Sequence, residues 1–394
     1  MNDLKQIAAA TTVALETVPR RLGTSLVIVI GTATTVAVLI SALAIATGFT
    51  RAATKTSSPD RAIVLGGLNE ASSSISRAAV KTIMDAPGVA HTATGEPIAS
   101  AETLESIPLT DSRTGLDAWF TVRGVGSQAL ALRPEIHLVR GRFFVPGRRE
   151  VIVGRGIEER LGRLRLGSHI ALPDGDWEVV GTFATGGGTR ESEILTDASS
   201  LMSTYHSSEF NSVTVRLVSP SDFARFSAAL ASNPILSVTA QREDEYYTRM
   251  SRPISRLLET TAYGLGSIMA FGAVFGALNT MFSAVRARRT EIATLRAIGF
   301  GGSAVIASVV IEALVLGFAG ALLGALAAWL LLEGATVSTV MATGTLLNIT
   351  FGVEVGPKIL LTGALFALGI AAAGGIFAAK QALRISIAAG MQET

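Results

Sequence analysis

The 394 residues contain no cysteine, which excludes a disulfide framework, a thiolate metal site and a thiol nucleophile. Histidine is scarce. His91, His137, His169 and His206 stand apart, with no HxxxH or HExxH spacing, so no zinc site is expected. There is no GxxxxGK[ST] loop to cradle phosphates and no GxSxG nucleophile elbow. The acids of the long middle segment are scattered, and no serine has a histidine at a suggestive spacing. No catalytic, cofactor-binding or metal-ligating residues are therefore expected. Charge is also thin. Only 16% of residues are charged against 49% hydrophobic, and the net charge of +2 is near balance. That balance gives no reason to expect a nucleic-acid partner, and the composition is apolar for a soluble protein.

What the chain does have is four long apolar runs. Between Arg21 and Arg51 lies LGTSLVIVIGTATTVAVLISALAIATGFT, with no charge inside. A second uncharged run fills the gap between Glu259 and Arg286. Gly301 to Leu332 is apolar apart from Glu312, and Ile359 to Ala379 is apolar throughout. A spanning helix needs about 20 apolar residues, so all four suffice. The first run is too long for a signal-peptide core and no small-residue cleavage site follows it, so it is expected to be retained as a helix. The fold class expected is thus membrane α-helical, with four transmembrane helices and a large α+β domain inserted between the first and second. The expected divisions are an amphipathic N-terminal helix over 1–21, then spans at 22–50, 259–285, 303–332 and 358–379. The inserted domain takes 51–255, a loop 333–357 and a tail 380–394.

Lysine and arginine orient the chain, because they are retained on the cytoplasmic side. The N-terminal tail carries Lys5, Arg20 and Arg21, and the C-terminal tail Lys380 and Arg384. The segment 286–302 between the second and third spans carries Arg286, Arg288, Arg289 and Arg296, whereas Gly334 to Gly356 has neither Lys nor Arg. Both tails and the arginine segment are therefore expected inside, and 51–255 and 333–357 outside.

RARRTEIATLRAIGF (286–300) does more than carry charge. Thr290 to Ile298 are good helix formers, and Gly299 is a helix stop. Arg289 and Arg296, seven apart, share one face. Ile292, Leu295 and Ile298 occupy much of the other, with Glu291 inside that arc. Such a helix can lie on lipid headgroups or dock into a soluble partner, and periodicity does not choose. Glu312 is the acid well inside a span. A third span starting near Ser303 places it about 13 Å in, either as a functional intramembrane acid or as an interfacial residue on a helix that starts along the surface. Gly272 and Gly276 form a GxxxG in the second span and Gly320 and Gly324 another in the third, a spacing that lets helices approach closely and fits a dimer.

The inserted segment contains two similar β-α-β units. RAIVLGG (61–67), SRAAVKTIMDAPG (76–88) and VAHTATGEPIA (89–99) read as strand, helix and strand. NSVTVRLV (211–218), SPSDFARFSAALASNP (219–234) and ILSVTA (235–240) repeat the order, and both helices follow serine. These halves, about 60–118 and 208–242, suggest a split α+β core. Between them, about 119–207 is a β-rich insertion containing WFTVRGV, REVIVG, SHIALPD and WEVVGTFA. Its arginine-rich part, 137–162, reads as solvated loops and strand edges or as a patch for an anionic ligand. From about 241 to 258 a stalk helix is expected, bent at Pro253, beside a second stalk continuing the first span.

The chain resembles an FtsX/MacB-type permease subunit of an ABC transporter. The resemblance rests on RRTEIATLRAIGF (288–300) followed by IEALVLGFAGALLGALAAWLL (311–331), in a four-span chain with a large domain between spans 1 and 2. IMDAPGVAHTATGEP (83–97) and GRFFVPGRREVIVGRGIEERLG (141–162) through WEVVGTFATGG (177–187) resemble the family's periplasmic core. In such permeases the segment between spans 2 and 3 contacts an ATPase. Residue by residue, this implies coupling roles for Arg288, Arg289, Glu291, Ile292, Leu295, Arg296 and Gly299. MacB carries a fused N-terminal ATPase, whereas about twenty residues precede the first run here, so a separate ATPase binding ATP and Mg is expected. AAKQALRISIAAG (378–390) lacks the proline common in the family's closing motif. The resemblance further implies two ATPase copies, a second permease subunit in a homodimer, a periplasmic adaptor with an outer-membrane channel, contact with membrane lipid, and the bacterial inner membrane. The implied work is export by mechanotransmission. The other readings are lipoprotein or lipid extraction, or activation of a cell-wall hydrolase.

Overall fold

The structure is a computed structural model that describes residues 6–7, 11–12, 22–110, 115, 117–162, 164–287, 301–338 and 350–382. Most of the expected N-terminal helix and all of 288–300 lie outside the described residues. Among the described residues, four helices are long and apolar enough to cross a membrane: α1 (Leu22–Thr54), α7 (Glu243–Ala287), α8 (Gly302–Leu332) and α9 (Pro357–Ala382). The chain divides into two compact units. One comprises 1–47, 256–335 and 353–394, and the other 48–255 with 336–352.

In the membrane unit, helices meet through small residues, as expected where lipid removes the hydrophobic drive between helices. A Cβ on Gly317 would lie 2.4 Å from that of Ala371, and one on Gly375 2.9 Å from that of Ala313. Gly320 and Gly324 face α1, where added Cβ atoms would lie 2.8 Å from Val29 O and 2.4 Å from Ala33 O. Gly363 approaches Ile40 of the same helix. Ile28, Ala277, Met281, Val309, Leu316 and Ala378 form an apolar cluster linking the four helices.

The second unit is built on one ten-stranded sheet in the order β12-β1-β11-β3-β4-β9-β6-β8-β5, with β7 (His169–Leu172) paired to β8. Its first half holds β1 (Arg61–Leu65), β3 (Ala99–Thr110), β11 (Ser212–Arg216) and β12 (Thr239–Arg242). Helices α2 (Arg77–Met84) and α6 (Phe223–Ala231) pack against it, with Ile83, Val213, Val215 and Phe226 in the core. Ser76 caps α2 by accepting from Ala79 N at 3.3 Å. Ser219 instead precedes a 3₁₀ turn, Pro220–Asp222, and bonds the Asp222 carboxylate at 2.8 Å.

The β-rich portion extends this same sheet. β3 and β4 (Asp117–Val125) form a long hairpin in register from Thr103↔Gly124 to Thr110↔Asp117. Beyond it lie β9 (Glu193–Asp197), β6 (Glu150–Gly154), β8 (Gly175–Ala184) and β5 (His137–Gly141). The short helices are α3 (Ala129–Leu132), α4 (Arg155–Leu161) and α5 (Ala198–Thr204). Trp177, Phe120, Val153 and Leu161 fill the core on this side.

Three stretches differ from the sequence reading. VAHTATGEPIA is not a strand. Gly95 adopts φ +83°, the chain turns back so that Ile98 N bonds Ala90 O at 2.8 Å, and regular pairing starts at Ala99. ILSVTA is also displaced. Ile235 is 89% exposed, and the strand is Thr239–Arg242. The 333–357 loop contains a small antiparallel pair, β13 (Thr336–Ser338) and β14 (Thr350–Gly352).

Candidate functional site

β12 runs directly into α7, with Arg242 ending the strand and Glu243 opening the helix. Glu243 is fully buried, an unusual place for an acid unless it is paired. Arg133, just after α3, donates to it through Nη1 at 2.5 Å, and Arg61 Nε lies 2.6 Å from its other oxygen. Ser58 N also donates to it at 3.3 Å. Arg61 reaches on to Glu135 at 2.8 Å and to Leu132 O at 3.1 Å.

The network continues along the sheet. Glu102 of β3, fully buried, accepts from Arg123 of β4 at 2.8 Å, with Arg190 at 3.6 Å and Arg133 at 3.9 Å. Arg123 also forks onto Glu193 of β9 at 2.8 and 2.9 Å, and donates to Glu70 at 2.8 Å. Arg190 lies in the 3₁₀ turn Thr189–Ser192; it donates to Glu193 at 3.3 Å and to the Tyr247 hydroxyl at 3.4 Å. The Tyr246 hydroxyl accepts from Glu70 N at 3.3 Å. The first turn of α7 is thus bound to both halves of the sheet by charges held away from water.

These charges survive burial because they compensate one another. Burial pushes the Glu102 carboxyl up, but Arg190, Arg123 and Arg133 together outweigh it and bring it from 4.5 to about 2. Burial likewise opposes ionisation of Glu193 and Glu243. Arg123 and Arg190 lower the first, and Arg133 and Arg61 the second. Burial raises the Tyr247 phenol to about 12. Folded carboxyls held below their unfolded value contribute stability that is present above about pH 4.5 and is lost as pH falls through their folded values. We therefore expect the α+β domain to keep its melting temperature from neutrality to about pH 5 and to lose it steeply between about pH 4.5 and 2. Circular dichroism melts across that range check this. A loss that starts near pH 6.5 would assign acid sensitivity to histidine instead.

A second contact set surrounds the end of α1. Phe351 of β14, 2% exposed, meets Phe49 edge-on at 5.9 Å between ring centroids. Gly48 makes room for it, since a Cβ there would lie 3.1 Å from both the Phe351 ring and Gly352 O. The Thr50 and Ser255 hydroxyls are 2.7 Å apart, joining the C-terminal end of α1 to α7 just beyond Pro253.

Of the residues singled out from sequence, Arg288, Arg289, Glu291, Ile292, Leu295, Arg296 and Gly299 lie outside the described residues. α7 ends at Ala287 and α8 begins at Gly302, on either side of them. Glu312 lies within α8 and is buried, one turn from buried Ser308. Gly320 and Gly324 pack on α1 of the same chain, whereas Gly272 and Gly276 have no atom within 4 Å of an added Cβ. Among the described residues no cluster of His, Cys, Asp or Glu has metal-binding geometry. The sequence reading did not identify the ion network. A faint signal was present, since Arg61, Glu102 and Arg123 fall in strands at positions flanked by buried residues, but their partners lie on other elements.

A four-helix membrane unit with an α+β domain between its first two helices defines a multi-pass membrane protein of the permease type. Two family models match. The MacB-like periplasmic core domain covers residues 24–233, and the FtsX-like permease C-terminal model covers 263–387. The chain belongs to the FtsX/MacB-type permeases of ABC transporters. This family is the membrane component that works with an ABC ATPase and is not itself the ATPase. No curated protein matches. Among solved structures, the extracellular domain of the noncanonic ABC-type transporter YknZ from Gram-positive bacteria is similar at 17% identity and TM-score 0.34, over 43% of this chain and 89% of that one. The periplasmic region of MacB from Actinobacillus actinomycetemcomitans is similar at 12% identity and TM-score 0.38, over 50% and 94%.

Proposed function

We propose that this permease transmits ATP-driven motion of a separate ATPase to its outside domain, for export by mechanotransmission. The observation that carries this reading is α7. It is one helix from Glu243, buried in the ion network, to Ala287, next to the arginine segment. Pro253 lies inside it without ending it. Two ATPase copies close on ATP and displace the 288–299 segment of each subunit of a permease homodimer. The helix carries the displacement to the sheet. Substrate is handled on the outer side of the bacterial inner membrane, with a periplasmic adaptor and outer-membrane channel as further partners. Lipoprotein or lipid extraction uses the same motion. Activation of a cell-wall hydrolase is a third use of it.

The purified chain is expected to hydrolyse no ATP alone and to form a complex of two permease and two ATPase subunits with its cognate ATPase. Static light scattering and phosphate release measure both. ATP turnover by the rigorously purified chain would overturn the division of labour. Because the chain is free of cysteine, Ser127→Cys reports topology directly. Labelling only after the inner membrane is permeabilised would place the domain on the wrong side.

A further inference from the structure

Residues 140–165 hold eight arginines against three glutamates. Several of these charges are already engaged. Arg142 forks onto Glu150 at 2.6 and 2.8 Å, Arg149 meets Asp174 at 3.1 Å, and Arg160 lies over the Phe120 ring. Arg155 and Arg165 are different. Both are exposed, and neither guanidinium makes a hydrogen bond or ion pair among the described residues, although the Arg165 carbonyl accepts from Ser168 N and Oγ. They line the same cleft of about 510 Å³, between β5 and α4, with Gly162 at the end of α4. Val139, Arg140, Glu158 and Glu159 complete its wall. Arg140 and Glu158 pair with each other and cancel. The Glu159 carboxylate, exposed and also unengaged, leaves the described lining of the cleft one net positive charge.

We propose that this cleft binds a phosphodiester group. Two free guanidiniums present planar forks suited to phosphate oxygens. The single surplus charge matches a diester, which carries one negative charge. A phosphate dianion gains more from the two arginines, but it is repelled more by Glu159 and costs disproportionately more to strip of water, and a polyanion more so. Val139, partly exposed at the rim, offers an apolar surface to whatever the diester is esterified to. The sheet edge itself does not supply the site. β5 is irregular between Leu138 and Arg140, and such a bulge blunts strand addition. Recognition thus falls to the side chains.

The test titrates the full chain, purified in an uncharged maltoside detergent, with three probes: inorganic phosphate, glycerophosphoglycerol, and water-soluble dihexanoylphosphatidylglycerol. Saturable binding of a diester is expected at low salt, tighter than that of inorganic phosphate and weakened as ionic strength passes about 0.15 M. Binding of the acylated diester alone assigns the group to a lipid. Equal binding of both diesters assigns it to a headgroup read without its chains. The Arg155→Gln/Arg165→Gln pair should lose at least about tenfold in affinity, since charge-assisted bonds to both forks are removed. Arg148→Gln, outside the cleft, should change it less than about twofold. Glu159→Gln should bring inorganic phosphate closer to the diesters. All substituted positions are exposed, so folding is preserved, and a melting curve confirms it. No saturable binding of any probe, binding undiminished in the double variant, or inorganic phosphate ahead of both diesters would each overturn the proposal.

Discussion

Glu243→Ala is expected to lower the stability of the α+β domain by about 3–5 kcal/mol, the cost of stranding a buried charge by removing its partner. Two guanidiniums, Arg61 and Arg133, lose their shared acceptor in the dry interior. For a domain of this size that corresponds to a fall of about 6–20 °C in melting temperature. Glu243→Gln should be milder, because the amide oxygen still accepts one hydrogen bond. The coupling proposal adds a second readout. In proteoliposomes carrying the cognate ATPase, Glu243→Gln at a temperature where it is folded should still support ATP turnover while transport falls. Loss of both activities in parallel would make Glu243 a folding residue alone.

The opposite end of α7 leads to the other large effect. Leu295→Asp would bury a carboxylate in the proposed docking groove, at a cost of several kcal/mol. The four arginines of 286–300 stay in place, so orientation is preserved. The expected product is a membrane-inserted, folded permease that does not co-purify with its ATPase. Arg296→Ala, on the opposite face, should cost only about 0–1 kcal/mol. Co-purification of Leu295→Asp at the parent level would reduce this segment to a topological anchor.

The membrane architecture is legible from sequence because a bilayer imposes one simple requirement, a long uncharged run, and four such runs are present. The existence of a mixed α and β domain is legible too, from period and turn chemistry. Register is not. Gly95 and Pro97 are turn formers inside a strand-like stretch, and the positive φ of Gly95 turns the chain and moves regular pairing to Ala99. Nor do residues 119–207 announce that they extend the same sheet, since that depends on the β3–β4 hairpin and the parallel β4–β9 pairing. The ion network is the hardest to foresee. Glu102, Arg123, Arg190 and Glu243 take their meaning from partners on other elements, from Glu102 and Arg123 on neighbouring strands to Arg61 and Glu243 at opposite ends of the domain sequence. Phe351 is a similar case. An aromatic in a short loop becomes a core residue only because Gly48 leaves space for it.

The attachment of the helices to the sheet has a mechanical consequence. β1 and β12 are antiparallel neighbours, and Ala62 faces Arg242. The chain arriving from α1 and the chain leaving into α7 therefore meet the sheet at the same end of the same strand pair. A load that separates them acts on this pair as an unzipping fork, opening hydrogen bonds one after another, the weak direction for a β-ladder. Arg61 and Glu243 sit at the mouth of that fork, 2.6 Å apart and sealed from water. If the coupling proposed above holds, they rivet the point where tearing would begin, and a pull that spreads the two chains would move the whole sheet.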